Sequence, residues 1–112
     1  MIKNLQTGEH YVWGGVCDGW RLLDRPDLSV IQERIPPGAG EVRHYHSRAR
    51  QLFFVLEGEL AIEVKDSRFS LARQDSLEVA PGDPHSVRND GQTDAMFLVI
   101  SAPTTRGDRT DI

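Results

Sequence analysis

Apolar residues in this chain never hold a helical three-to-four spacing for long. They come in short alternating or wholly apolar runs, separated by clusters of Gly, Pro, Asn and Asp. The pattern predicts strands over residues 10–13, 20–23, 29–35, 42–46, 51–57, 60–64, 68–71, 76–79, 86–88 and 95–101. Between them lie Gly14 and Gly15, Pro26 and Asp27, the run 36–40, Glu57 and Gly58, residues 81–84, and residues 89–92. Each can turn the chain, because Pro fixes φ and Gly or Asn reaches positive φ. About ten short strands at regular spacing imply an all-β sandwich or jelly-roll barrel, with helix content near zero.

Two of these strands are apolar on both faces. In Leu52, Phe53, Phe54, Val55, Leu56 and in Met96, Phe97, Leu98, Val99, Ile100, alternate side chains point to opposite sides and neither side is polar. Something is expected to cover the outer face. The N-terminal segment with Tyr11, Trp13 and Trp20 is one candidate; a second copy of the chain, forming a homodimer, is the favoured one. Residues 103–112 are polar and aperiodic and read as a mobile tail. They include Arg106, Gly107, Asp108, a tripeptide that spells an adhesion motif and is ascribed here to chance.

At 112 residues and 12.6 kDa the chain is one domain, 1–112, with the barrel core over about 28–101. With 17 acidic residues against 13 basic ones, a net charge of -4 and a pI near 5.5, nucleic acid is excluded as a natural partner. No apolar run approaches the roughly 18–20 residues that span a bilayer, and no apolar signal core follows Met1, so the expectation is a cytoplasmic protein without membrane contact. A single cysteine, Cys17, excludes both an internal disulfide and a Cys-based zinc site.

The chemistry concentrates in the histidines. His44 and His46 are two apart on a predicted strand, so their imidazoles leave the same face side by side. Gln51 follows after a short turn, at the start of a strand that could pair back antiparallel to the first and bring its amide oxygen to both rings. His85 comes directly after the turn Pro81, Gly82, Asp83, Pro84 and shares its side of the strand with Val87, so a third imidazole could enter from another strand. Parity places Phe53, Val55, Leu77, Val79 and Val87 on the ligand side, making a mostly apolar cavity suited to a small ligand that chelates through one or two oxygens.

Gly38, five residues, His44, Tyr45, His46, four residues, Gln51, six residues and Gly58 fit the pattern G-x5-H-x-H-x3/4-E-x6-G. Gly82, two residues, His85, three residues and Asn89 fit the end of G-x5-P-x-G-x2-H-x3-N, with Gln74 at its first glycine and Ala80 at its proline. In these two motifs the segment resembles the cupins, small barrels of the double-stranded β-helix type. The resemblance spans Gly38 to Asn89, about half of the chain. It implies one divalent transition metal (Fe, Mn, Ni, Zn or Cu) held by His44, His46, Gln51 and His85, with Gln51 replacing the usual Glu. An amide is a neutral, weaker donor and leaves more positive charge on the ion. Either Gln51 ligates, or three imidazoles hold a metal with a wider open face.

The resemblance implies a metal-dependent enzyme acting on a small oxygenated metabolite: an oxidoreductase, namely a dioxygenase, first, then an isomerase, lyase or cyclase. The alternative is a non-catalytic cupin that binds a metal or small ligand as a sensor or storage module. No nucleophile–base pair and no phosphate-cradling glycine loop compete with this reading. Glu33 and Glu41 would be candidate bases only if their strand faces turn inward. Tyr45 is expected to pack, His10 to lie on the surface, and Cys17, Trp13 and Trp20 to join the core. Arg43 and Arg88 are expected in solvent or in ion pairs, and Arg48 and Arg50 in a solvated turn at the barrel mouth.

Overall fold

The alternation of inward apolar and outward mixed positions builds two antiparallel sheets laid face to face in the computed structural model, which describes residues 1–112. The strands are β1 (Glu9–Trp13), β2 (Cys17–Asp24), β3 (Ser29–Ile35), β4 (His44–Tyr45), β5 (Arg50–Glu57), β6 (Leu60–Val64), β7 (Ser67–Leu71), β8 (Ser76–Val79), β9 (His85–Arg88), β10 (Ala95–Ala102) and β11 (Thr110–Asp111). One sheet runs β1-β2-β3-β10-β5-β8 and the other β11-β4-β9-β6-β7. This is the expected all-β double-stranded β-helix. No helix of the structure is long and apolar enough to cross a membrane.

The core lies between the sheets and follows strand parity. Phe53 and Val55 of β5, Val87 of β9, and Ala95, Phe97 and Val99 of β10 are buried, while Leu52, Phe54 and Leu56 on the alternate positions of β5 are only half-buried. Removing such apolar area from water, at about 25 cal/mol per Å², is the main favourable term for a fold without helices or disulfides. Asn89 is also fully buried and is a structural pin. Its amide donates to the carbonyls of Ile35 and Thr93, each at 2.8 Å, joining the end of β3 to the turn after β9.

Two turn positions show what the motif spacing demands of the backbone. Gly58 has φ of 77°, and a Cβ there would sit 2.4 Å from the carbonyl oxygen of Asp94, so only glycine fits. Gln74 takes φ of 71° at the position where the motif has glycine, its N–H donating to the Val55 carbonyl at 2.8 Å. The left-handed conformation that the motif glycine supplies freely is therefore still adopted, against a preference of about 1–2 kcal/mol in an L-residue.

The C-terminal segment corrects the sequence expectation. Residues 103–112, read as a mobile tail, fold back over the barrel mouth. Thr110 and Asp111 pair with Tyr45 and His44, adding β11 to the second sheet. Asp108 is buried: one carboxylate oxygen accepts from the N–H of Ser47 at 2.7 Å, the other from the N–H groups of Arg48 and Ala49, both at 2.9 Å. A segment with few apolar residues is thus ordered by hydrogen bonds, which hydrophobic periodicity does not register. The same burial removes the Arg-Gly-Asp tripeptide as an adhesion site, since its carboxylate already serves as a cap.

The N-terminal strands do not cover the apolar outer face. β1 and β2 extend the first sheet beyond β3, edge to edge. Leu52, Phe54 and Leu56 of β5 and Met96, Leu98 and Ile100 of β10 stay partly exposed side by side.

Asp108→Ala leaves three N–H donors of the 47–49 turn without their acceptor. It is expected to lower unfolding free energy by about 2–4 kcal/mol, read as a lower urea midpoint with unchanged slope.

Candidate metal centre

The site is built where the two sheets meet. His44 lies directly opposite His85 in the β4–β9 pairing, and His46 follows His44 on the same face. All three are buried, at 3%, 5% and 1% exposure, and one ring nitrogen from each lies within 4.8 Å of the other two. The predicted convergence of the three histidines is therefore present. Gln51 joins them by a different route from the one expected. β5 does not pair back on β4 but crosses to the other sheet, between β10 and β8, and delivers Gln51 from across the barrel. Its Oε1 lies 3.0 Å from Nε2 of His85.

Backbone carbonyls set the tautomer of every ring. Nδ1–H of His44 donates to the Val42 carbonyl at 2.8 Å, that of His46 to the Asp108 carbonyl at 2.6 Å, and that of His85 to the Asp83 carbonyl at 2.9 Å. A carbonyl only accepts, so the proton of each neutral ring sits on Nδ1 and the Nε2 lone pair is free. Burial holds all three imidazoles toward the neutral form, pushing His44 down to about 4 and lowering His46 and His85. Nε2 of His46 is buried with no hydrogen-bond partner at all. Three neutral rings with oriented Nδ1–H groups and an orphaned lone pair are what a divalent metal requires of its ligands. The donor set fits such an ion, and the imidazole and amide atoms suit a first-row transition metal better than calcium or magnesium.

The cavity beside the histidines has a volume of about 170 Å³, and His44, His46 and Gln51 line it with Phe53, Val99 and Ser101. Its other wall is chemically unlike the apolar lining expected. Glu33, Glu41, Tyr11, Trp13, Thr105 and Arg109 face the same space. The strand faces of Glu33 and Glu41 do turn inward. Enclosure raises Glu33 to about 7 and Glu41 to about 8, in each case mainly by desolvating the charged form. Glu41 accepts from the N–H of Val87 at 3.2 Å, and its carboxylate lies 3.9 Å from Nδ1 of His44.

Tyr11 reaches Glu33 through a gap in the strand between them. Tyr11, Gly19 and Glu33 are register neighbours across β1, β2 and β3. A Cβ on Gly19 would fall 2.3 Å from the Tyr11 ring, so glycine alone lets the ring lie across β2 and its hydroxyl donate to Glu33 at 3.4 Å. Burial and the neighbouring carboxyl raise the phenol, which therefore stays a donor.

The remaining candidates divide cleanly. Arg43 pairs with Glu63 at 2.9 Å and Arg88 with Asp90 at 3.0 Å, away from the cavity. Arg50 pairs with Glu78 at 2.6 Å, and Arg48 offers the turn only its backbone N–H. His10 is half exposed beside Asp18. Cys17 is core; Trp13 joins the cavity wall, and Trp20 stacks on His10. The cation that does face the cavity is Arg109, held by Asp111 at 2.8 Å and 3.9 Å from Glu41. Sequence reasoning missed it because it sits in the segment taken for a tail.

The family profile described as "Cupin domain" matches residues 31–101. An uncharacterized protein of Methanocaldococcus jannaschii, MJ1618, is 24% identical over 84 residues, 75% of this chain and 67% of that protein. Among solved structures, KdgF from Halomonas sp. superposes with a TM-score of 0.82 at 17% identity, over 90% of this chain and 91% of its own. A predicted oxalate decarboxylase from Thermotoga maritima gives a TM-score of 0.84 at 18% identity, over 93% and 100%.

The enclosed Glu33 has a consequence for stability. Its carboxyl, faced by Tyr11 from β1, Arg21 from β2, and Glu41 and Arg109 across the cavity, keeps its proton to about pH 7, whereas the ordinary value is 4.5. Between those two values the folded chain binds more protons than the unfolded one, so this group's contribution to stability falls as pH rises through the window. Glu33→Gln removes that fall. Urea unfolding at pH 5 and pH 8 is expected to show the variant gaining on wild type at the higher pH.

Proposed function

This chain belongs to the cupin domain family, and on that premise we propose that it is a metal-dependent enzyme acting on a small oxygenated metabolite between its two sheets. His44, His46 and His85 hold one divalent transition metal (iron, manganese, nickel, zinc or copper), with Gln51 as the fourth protein ligand. The observation that supports this most directly is the orphaned, buried Nε2 of His46 beside two further imidazoles whose Nδ1 protons are already bound. Such an ion supplies Lewis acidity, drawing charge from a substrate oxygen. The chain's own groups do the rest.

Of the reactions open to such a site, proton transfer (isomerase, lyase or cyclase) is favoured over oxygen insertion. Glu33 and Glu41 line the same cavity as the histidines, and a carboxyl held near neutrality can both take and return a proton. Tyr11 donates to Glu33 and fixes the direction in which its carboxyl faces. Arg109, at the rim beside Glu41, offers a positive end to an anionic substrate. Trp13 and Phe53 add apolar surface to the same space.

The outer face of β5 and β10 supports a homodimer in which Leu52, Phe54, Leu56, Met96, Leu98 and Ile100 of two copies pack together. A contiguous apolar face of this kind is otherwise costly in water.

Protein purified without chelator or affinity tag is expected to carry close to one transition-metal ion per chain by mass spectrometry, and His85→Ala almost none. Proton transfer is tested by incubating the loaded protein in D2O with a panel of α-hydroxy and α-keto acids and ketoses. Proton NMR should show deuterium entering one of them, and Glu33→Gln should abolish this while keeping the metal. Dioxygen uptake in place of exchange would assign an oxygenase; ligand-induced thermal shift with neither would assign a binding module.

For the dimer, light scattering should give about twice the chain mass, reduced to one by Leu98→Glu.

A further inference from the structure

We propose that Ser101 is a positioning residue for Gln51 as a metal ligand, accepting the amide N–H and so supporting the orientation in which the amide oxygen faces the histidines. The inference rests on the reading of the three histidines as a metal site and goes beyond it, to a residue in neither metal-site motif.

The inward positions of β10 are Ala95, Phe97, Val99 and Ser101, all buried. Three are apolar. The one polar position is the register partner of Gln51 across the β10–β5 ladder. Burying a hydroxyl without a partner is unfavourable, so a serine at 2% exposure in an apolar series needs an explanation, and its side chain has one bond. Nε2 of Gln51 donates to Oγ of Ser101 at 3.1 Å.

In the orientation seen, that bond occupies the donor end of the amide and leaves the acceptor end facing the metal site. An amide has a donor end and an acceptor end, and only the oxygen can ligate a cation. With N–H turned to Ser101, Oε1 points at Nε2 of His85, 3.0 Å away. The Nδ1 proton of His85 is committed to the Asp83 carbonyl, so Nε2 carries a lone pair. Two acceptors therefore face each other across 3.0 Å, an arrangement unfavourable by itself and favourable when both donate to one positive charge. The opposite orientation would direct N–H into the His85 lone pair and remove both atoms from the ligand set. A carboxylate at position 51 presents an oxygen either way, whereas an amide needs a neighbour to orient it. Ser101 offers the amide N–H its acceptor in the orientation in which the oxygen ligates, at the position where this chain departs from the motif's Glu.

The test uses Co2+ alone as the probe, on the full metal-free chain, with titration calorimetry for affinity and visible absorption for coordination. Ser101→Ala is expected to weaken Co2+ binding about 10-fold or more, as loss of an outer partner of a ligand typically does, and to shift the absorption spectrum toward that of Gln51→Ala. In the double variant Ser101→Ala should add nothing to the effect of Gln51→Ala, which a purely structural role would not produce. Ser101→Thr, which keeps the hydroxyl, should bind like wild type, and thermal melting of the metal-free proteins checks that each is folded. If Ser101→Ala does not fold, Ser101→Gly, which also lacks the hydroxyl, takes its place. Unchanged affinity and spectrum in that variant, or equal losses with and without Gln51, overturn the proposal while leaving the metal site standing. Failure of wild type to bind Co2+ overturns both.

Discussion

Three imidazoles in the low-dielectric space between two sheets are tolerable only if they are neutral and if each ring N–H has an acceptor. Backbone carbonyls of Val42, Asp108 and Asp83 meet that requirement one ring at a time. Each comes from a different piece of irregular chain beside a strand, so the loops at this end of the barrel are fixed by the needs of the rings. The same three bonds leave every Nε2 lone pair unprotonated and turned inward. Removing charge from the histidines and preparing them to bind a cation are thus one physical arrangement.

The C-terminal segment is the most economical part of that arrangement. Asp108 closes the 47–49 turn with its carboxylate and orients His46 with its carbonyl. One residue later Arg109 faces the cavity, and Thr110 and Asp111 extend the sheet that carries His44. Stability and site geometry share these residues, so a change there moves both. On the opposite wall the logic is reversed. Glu33 and Glu41 are enclosed with little to stabilise their charge, which raises both carboxyls and keeps protons available beside the histidines.

Much of this was legible in the chain. Short alternating or wholly apolar runs bounded by turn residues located ten of the eleven strands, because a strand buried on one face or on both shows one pattern or the other. Spacing placed His44 beside His46, and the turn at 81–84 placed His85 at a strand start. The route of Gln51 was not legible: the short turn at 47–49 reads as a hairpin, yet the chain crosses between sheets there, and only the β5–β10 and β5–β8 pairings reveal it. Segment 103–112 was misread because hydrogen bonds, not apolar burial, hold it. The contact of Glu33 with Tyr11 depended on the absence of a side chain at Gly19, eight residues from Tyr11 and fourteen from Glu33.

The sequence by itself therefore determined the all-β class, the two spaced motifs and the types of donor available, since these follow from local periodicity and residue chemistry. Tertiary structure decided which donors meet. Whether Gln51 faces His85, whether Ser101 can orient it, whether Arg109 reaches the cavity and whether two carboxyls confront three imidazoles depend on strands distant in sequence lying side by side. Such pairings are selected by the packing of the whole barrel, and no local pattern encodes them.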